Sequence, residues 1–341
     1  MRKTAQFLVG LIVSLVAFGL ALRGTHPAEV LAALQNANYI YILPAIVLII
    51  IGQMARAQSW RTLLGQGLTF NRVFAVLNEG YLLNNILPLR LGEVGRAYLI
   101  SRERGLRLTK AISSVLVERL LDLMMVLLML AGFLPLVAGV AEVRQTAIGA
   151  IVIGLAAFTG LLLIARSREL VLRLTRWALA RIPRLNYERW EGRASAFVDG
   201  LSALQDVRRA AMAACWSGTA WVTAGLAAWA LLFCFLPPEQ ATLDKAFFVL
   251  VITALGIAVP SLPGGFGIFE AAVVFALSVF NIENDLAFSY ALVFHAVNYV
   301  LLCVLGLIAL VQEGETLVHL AQTVQSAVSN LGRMGVPPSV E

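Results

Sequence analysis

The stretch Pro260-Ser-Leu-Pro-Gly-Gly-Phe-Gly-Ile-Phe-Glu270 interrupts a long apolar region and decides which fold the chain can adopt. Proline and glycine end a helix at such a point. The apolar arm on either side holds only about 13–15 residues, whereas a helix needs roughly 20 residues to cross a bilayer. The segment 246–280 is therefore predicted to form either a re-entrant hairpin of two half-helices or a single kinked crossing.

A second broken segment, 73–104, has the same construction. Its apolar first arm runs into Ile86-Leu-Pro-Leu-Arg-Leu-Gly-Glu93, and a helical pattern then continues to about residue 104. Lys and Arg accumulate on the cytoplasmic side of membrane proteins, and basic residues flank this segment at both ends, so we predict that it enters the membrane from inside. They are Arg56, Arg61 and Arg72 before it and Arg102, Arg104, Arg107 and Lys110 after it.

Acidic residues flank the segment 246–280 instead, namely Glu239, Asp244, Glu283 and Asp285. Because Lys245 is the one basic residue in these flanks, both ends of this segment are predicted to lie outside. Two broken helices that enter from opposite sides suggest an inverted repeat, from which transporters build a site at the membrane midplane. The alternative is that both breaks are packing kinks in ordinary helices.

The composition is typical of a membrane protein, because 60% of the 341 residues are hydrophobic and 13% are charged. Soluble domains have about 45–50% and about 25%, respectively, so a soluble enzyme, a disordered chain and a nucleic-acid-binding domain are poor interpretations. Apolar stretches of spanning length lie at 4–22, 39–55, 111–134, 147–165, 211–236 and 286–311. The first could instead be a signal peptide, but its uninterrupted length favours a retained helix.

These observations predict an all-α polytopic membrane protein with about six full transmembrane helices, two oppositely oriented broken pairs and both termini cytoplasmic. A single domain, 1–320, is followed by a cytoplasmic tail, 321–341. Of the 26 basic residues, 20 fall in predicted cytoplasmic segments, ten of them arginines within 166–209. That segment is either an amphipathic interfacial helix that binds anionic lipid headgroups or a solvated basic loop.

Ionisable residues at membrane depth are energetically costly and usually functional, and this chain has a compact set of them. They are Arg90, Glu93, Arg96, Glu118, Arg119, Asp122 and Glu270, with His295 and Asn298 on one face of the last helix. Spacing lets Glu93 meet Arg96 and lets Arg119 meet Asp122, whereas Glu118 and Asp122 place like charges one turn apart. These two carboxylates need a cation, for which Arg90 or Arg96 is the nearest candidate.

The set contains three arginines and four carboxylates, which predicts either a protonated carboxyl or a site that exchanges a proton. Arginine suits a phosphate group, and the amino terminus of the half-helix near Gly267 also favours an anion. Gly264 and Gly265 would allow the backbone to approach a ligand closely. Two alternatives stay open: Glu270 stabilises a helix amino terminus, and the whole set is a structural ion-pair network.

At these residues the sequence resembles the lysylphosphatidylglycerol synthase transmembrane, or flippase-like, family. The resemblance lies in Asn84 and Asn85, Pro88-Leu-Arg-Leu-Gly-Glu-Val-Gly-Arg96, Glu118-Arg-Leu-Leu-Asp122 and Pro260-Ser-Leu-Pro-Gly-Gly-Phe-Gly-Ile-Phe-Glu270. It covers essentially the whole chain and implies a membrane domain that carries lipids between leaflets. Bifunctional members of the family add an aminoacyl-transfer domain, for which the chain to Glu341 has no room.

We therefore expect a flippase-like transporter of an anionic phospholipid or polyprenyl-phosphate lipid in a bacterial or archaeal cytoplasmic membrane. The arginines would hold the headgroup, while the carboxylates position the arginines. The alternatives are an intramembrane transferase with Glu118 or Asp122 as general base, and a membrane scaffold for lipid synthesis. No nucleophile or metal motif is found, so no enzymatic activity, metal or cofactor is expected. Anionic lipids are the expected partners, nucleic acid is not, and homodimerisation and a lipid-synthesis partner stay open.

Overall fold

The computed structural model describes residues 2–65, 67–87, 91–103, 106–133, 206–259 and 261–333, with isolated positions between 145 and 177. The predicted span 147–165 and the basic segment up to residue 205 otherwise lie outside the described residues, as do Arg90 and Pro260. Every regular element in the described ranges is a helix, which confirms the all-α class.

The helices are α1 (Arg2–Ala21), α2 (Pro27–Asn36), α3 (Ile42–Leu64), α4 (Phe70–Ile86), α5 (Leu91–Ser101), α6 (Leu108–Phe133), α7 (Val207–Leu232), α8 (Leu243–Ile257), α9 (Ile268–Ser278), α10 (Asn284–Gln312) and α11 (Leu317–Arg333). Short 3₁₀ turns precede α3 and α9. The residues divide into two compact units. Unit 1 contains Met1–Met54, Ala75–Gly95 and Ala220–Glu341, and unit 2 contains Ala55–Phe74 and Arg96–Thr219.

The second broken segment folds back on itself. Helices α8 and α9 pack together, with Gly256 opposite Ala272 and the rings of Phe248 and Phe280 in edge contact at 5.6 Å. Both pairs are centred on Gly264, as the two arms of an antiparallel hairpin require. In one continuous helix, residues 248 and 280 would be about 48 Å apart at 1.5 Å per residue. The hairpin interpretation of this segment is therefore correct, and the kinked crossing is excluded.

The first broken segment is also a hairpin. Helix α5 returns so closely beside α4 that a Cβ at Gly92 would overlap the carbonyl oxygen of Gly80. At the far ends of the two arms, Arg72 Nε lies 2.7 Å from Glu103 Oε1. Only glycine permits such an approach between two helix backbones.

Stripes of apolar side chains are exposed on the outside of unit 1. On α3 they are Leu43, Val47, Ile51 and Met54, and on α10 they are Val300, Val304, Leu307 and Val311. Soluble proteins rarely expose apolar patches of this extent, whereas a lipid-facing surface consists of them. Within the described residues, Tyr39–Leu64 and Asn284–Gln312 are long and apolar enough to cross a membrane.

Helix α3 is longer than the sequence analysis predicted, because it ends at Leu64 and not near residue 55. Between Gln53 and Leu64 there is no proline or glycine to stop it, and the first breaker is Gly65. Arg56 and Arg61, which were predicted to lie in the cytoplasmic segment after an apolar span ending near residue 55, consequently lie on the same helix as that span. The predicted end of the span is wrong, and this correction changes the candidate site.

Three further features of the fold are new. Helix α2 begins with proline at its first position, where a helix tolerates it, and packs against α10. Helix α11 is amphipathic and buries Leu320 and Val324. Val324 lies against Gly95, so the segment after residue 316 starts as a docked helix.

Gly306 provides a test of the close packing of α10 against α4. A Cβ at this position would lie 2.6 Å from Leu82 Cβ and 2.7 Å from the Asn78 carbonyl oxygen. We expect Gly306→Ala to lower the free energy of unfolding by about 1–3 kcal/mol, because the two helices must separate. Thermal unfolding in detergent micelles measures the change.

The matched control is Gly19→Ala in α1, where an added Cβ meets nothing within 4 Å. Alanine is the better helix former by about 1 kcal/mol, so this variant should be as stable as the parent or more stable. Equal melting temperatures for the two variants would contradict the close contact at Gly306.

Candidate functional site

Five ionisable side chains meet in unit 2, and we call them the buried charge cluster. Arg96 Nη1 donates to Glu118 Oε2 at 2.8 Å, and Arg119 Nη2 donates to Glu118 Oε1 at 2.8 Å. Arg56 Nη1 donates to both carboxylate oxygens of Asp122, at 2.8 and 2.9 Å. Arg119 also lies 3.2 Å from Asp122. Helices α3, α5 and α6 thus each contribute cations or anions to one cluster.

The local reason for the cluster is the position of two carboxylates one turn apart on α6. Glu118 is only 1% exposed and Asp122 is also buried, so each needs positive partners. Arg96, one of the two arginines predicted to pair with these carboxylates, binds Glu118. Asp122 pairs with Arg119, as the spacing predicted, and also with Arg56, which was not predicted. The absence of a helix breaker between residues 56 and 64 could have identified it.

The described contacts add one cation to the predicted set. Among the described residues of unit 2, the guanidinium groups of Arg56, Arg96 and Arg119 pair with Glu118 and Asp122. The charge balance predicted for the whole set, and the protonated carboxyl inferred from it, stay predictions, because Arg90 lies outside the described residues.

Arg96 has unused hydrogen-bonding capacity inside the protein. The residue is 3% exposed, and its guanidinium carbon lies 4.8 Å from the centre of the Trp60 ring. Trp60 is itself held by a hydrogen bond from Nε1 to Ser114 Oγ at 3.0 Å. Within the described part of the chain, Arg96 Nη2 is buried without a hydrogen-bond partner. A buried donor without an acceptor is costly, so this atom indicates where an acceptor of a ligand would bind.

The glycine-rich turn of unit 1 forms a separate polar centre. Gly264, Gly265 and Gly267 have φ values of +76°, +81° and +85°, a region that favours glycine. Gly267 N donates to Glu270 Oε2 at 2.7 Å, and Glu270 Oε1 lies 2.6 Å from His295 Nδ1. His295 Nε2 lies 3.0 Å from the carbonyl oxygen of Gly264.

Both ring nitrogens of His295 have partners. Nε2 donates to the Gly264 carbonyl oxygen, which can only accept, and Nδ1 lies within hydrogen-bond distance of Glu270 Oε1. Glu270 therefore fills, with its own carboxylate, the helix amino terminus at which an anion was expected. Asn298 Nδ2 donates to the Phe294 carbonyl oxygen of the same helix, so its described hydrogen bond lies within α10 and not at the turn.

A side chain caps the second arm at both breaks. Asn84 Oδ1 accepts a hydrogen bond from Gly92 N at 2.9 Å, as Glu270 does from Gly267 N. The free N–H groups of a helix start require such acceptors where water is absent. The sequence analysis also missed Glu79 of α4, which is 1% exposed and lies in a stretch that was taken as apolar.

Loss of Glu118 is expected to destabilise unit 2 strongly, because it would leave Arg96 buried without its anion. Breaking a buried ion pair costs about 3–5 kcal/mol, so Glu118→Ala should lower the melting temperature clearly. Glu103→Ala is the matched control, since the Glu103–Arg72 side chains are 34% and 25% exposed. This pair is only partly buried and should contribute less than a fully buried one, so similar losses in both variants would contradict the burial of the cluster.

The contact between Glu270 and His295 predicts energetic coupling. Either Glu270→Ala or His295→Ala removes the same hydrogen bond, so the double variant should lose less stability than the sum of the two. A coupling of about 0.5–3 kcal/mol is expected from a double-mutant cycle measured by thermal unfolding. Strict additivity would show that the two side chains do not interact.

Comparison with known proteins identifies the family. The family model for the lysylphosphatidylglycerol synthase TM region matches residues 7–306. A UPF0104 membrane protein of Methanocaldococcus jannaschii is 26% identical over 302 residues, which cover 83% of this chain and 87% of the relative. A UPF0104 membrane protein of Methanothermobacter thermautotrophicus is 22% identical, with 88% of this chain and 93% of the relative covered.

A third relative is named glycosyltransferase AglD, from Haloferax volcanii. It is 24% identical over 87% of this chain, which spans 52% of that protein. No solved structure matches the chain. Because the family model covers most of the sequence, including both hairpins and the buried charge cluster, the chain belongs to the lysylphosphatidylglycerol synthase transmembrane family and is a membrane protein.

Proposed function

We propose that the protein moves an anionic lipid between the leaflets of the membrane and that the buried charge cluster holds its headgroup. The observation that carries the proposal is the buried Nη2 of Arg96, which has no hydrogen-bond partner among the described residues and lies in a cluster with two other guanidinium groups. A phosphate group would supply the missing acceptor. Guanidinium groups bind phosphate through two parallel hydrogen bonds.

The two carboxylates have a positioning role in this mechanism. Glu118 holds Arg96 and Arg119 through different oxygen atoms, and Asp122 holds Arg56 through both of its oxygens. The arginines are thus oriented before the ligand arrives, which lowers the entropic cost of binding.

The membrane arrangement is part of the proposal. Six full crossings, two hairpins that enter from opposite sides and two cytoplasmic termini would place this site in a bacterial or archaeal cytoplasmic membrane. The hairpin shape of both broken segments supports re-entry, as do the basic flanks of one and the acidic flanks of the other. Capping at each break satisfies backbone N–H groups at membrane depth.

A transferase that acts on a lipid phosphate is the second candidate, because one relative is named a glycosyltransferase. In that reaction Glu118 or Asp122 would be the general base. In the structure, guanidinium groups bind both oxygens of each carboxylate, so a substrate hydroxyl would have to displace an ion pair to reach either one. This observation favours transport over transfer.

Reconstitution into liposomes tests the transport proposal. Fluorescent phosphatidylglycerol is placed in the inner leaflet, and its appearance outside is followed with a membrane-impermeant quencher. We expect Arg96→Gln and Arg119→Gln to reduce the transport rate at least about tenfold, because each removes charged hydrogen bonds to the headgroup. Arg96→Lys should be intermediate, since lysine keeps the charge but loses the planar donor pair.

Arg72→Gln is the control, because it removes an arginine from an ion pair of the same unit outside the cluster. It should transport at the parental rate. Thermal unfolding of each variant excludes loss of fold as the cause. Parental rates in folded Arg96→Gln and Arg119→Gln proteins would refute the headgroup role. A new lipid product without a change of leaflet would establish the transferase instead.

A further inference from the structure

Unit 2 contains a cavity of about 380 Å³ that is distinct from the buried charge cluster. It lies where the end of α3 and the following loop meet the start of α7. Its lining residues are Gln58, Arg61, Thr62, Gly65, Gly67, Leu68, Asp206, Arg208, Arg209 and Met212. None of the five residues of the buried charge cluster is among them.

Cations dominate the lining of this cavity. Three arginines face it, and Asp206 is the one carboxylate among the lining residues. Lys110 adds a fourth positive group, because a Cβ at Gly65 would lie 3.4 Å from Lys110 Nζ and 3.8 Å from Arg209 Nη1. Two cationic groups thus converge on the backbone of Gly65. The described residues therefore give this cavity a large positive excess, which favours an anion.

Two of the arginines are held in place by local contacts. Arg61 Nε donates to the Leu68 carbonyl oxygen at 2.8 Å, and its Nη1 makes a longer contact of 3.5 Å with Gln58 Oε1. Arg209 Nε lies 3.2 Å from Asp206 Oδ2. Asp206 Oδ1 accepts from the backbone N–H groups of Arg208 and Arg209, so the carboxylate also caps α7. The single acidic residue of the cavity is therefore used to orient a cation.

We propose that this cavity binds a phosphate ester, on a lipid headgroup or on a small soluble molecule. The positive-inside rule explains why basic residues lie on one side of a membrane, but it does not explain why several of them line the same cavity. A phosphate ligand would account for this arrangement, because guanidinium and ammonium groups donate hydrogen bonds to phosphate oxygens. Leu68 and Met212 add an apolar surface beside these donors. The site goes beyond the transport proposal and does not depend on it.

The test is a binding titration of the full-length protein in detergent. One arm uses mixed micelles that contain fluorescent phosphatidic acid, and the other uses glycerol 3-phosphate, detected by calorimetry. Both arms are run in the parent and in an Arg96→Gln background, so that binding at the buried charge cluster is counted separately. Arg61→Gln and Arg208→Gln should each weaken binding at least about tenfold, because each removes a charged donor.

Arg102→Gln is the control, because Arg102 is an exposed arginine of the same unit outside the cavity. Arg208→Gln tests the cavity without disturbing the fold, because the described residues provide no partner for the Arg208 side chain that the substitution would remove. If Arg61→Gln and Arg208→Gln weaken binding of phosphatidic acid alone, the ligand is a lipid phosphate. If they weaken binding of glycerol 3-phosphate alone, the ligand is a soluble phosphate ester. If Arg102→Gln weakens binding as much as the cavity variants do, or if neither probe binds, the proposal is overturned.

Discussion

The burial of Glu118 and Asp122 on one face of α6 is the constraint on which the organisation of unit 2 depends. Two carboxylates one turn apart repel each other, and neither can stay ionised away from water without a cation. Helix α5 must therefore deliver Arg96, and α3 must continue far enough to deliver Arg56. The packing of three helices is tied to the pairing of five charges. The same pairing leaves one arginine donor unused, which is the basis of the transport proposal.

Unit 1 meets a different requirement, because two of its helices stop inside an apolar region. Each stop is followed by a new helix whose first backbone N–H groups lack partners within it, and a side chain accepts from one of them, Asn84 in one case and Glu270 in the other. Glycine serves two purposes here. At Gly267 it supplies a positive φ, and at Gly92 and Gly306 it lets helix backbones approach. His295 then fastens the second turn to α10.

Much of this architecture could be predicted from the order of the residues. The apolar arms that are too short to cross, the residues that break them and the inward charges at 96, 118, 119 and 122 are all apparent in the sequence. The sequence did not reveal Arg56, because a basic residue after an apolar run is equally compatible with a loop and with a continuing helix. Glu79 escaped for a related reason, since a single acidic residue hardly changes the hydropathy of its stretch.

The sequence by itself determined that this is a helical membrane protein of a known family and that its helices break at two places, because composition and spacing along one helix are local properties. Only the tertiary structure decided that each break is a hairpin, that Arg96 binds Glu118 and that Arg56 binds Asp122. The reason is geometric. Spacing specifies which side chains share a face of one helix, whereas the partner on another helix depends on how the helices pack, and the net charge of a site depends on every partner that packing supplies.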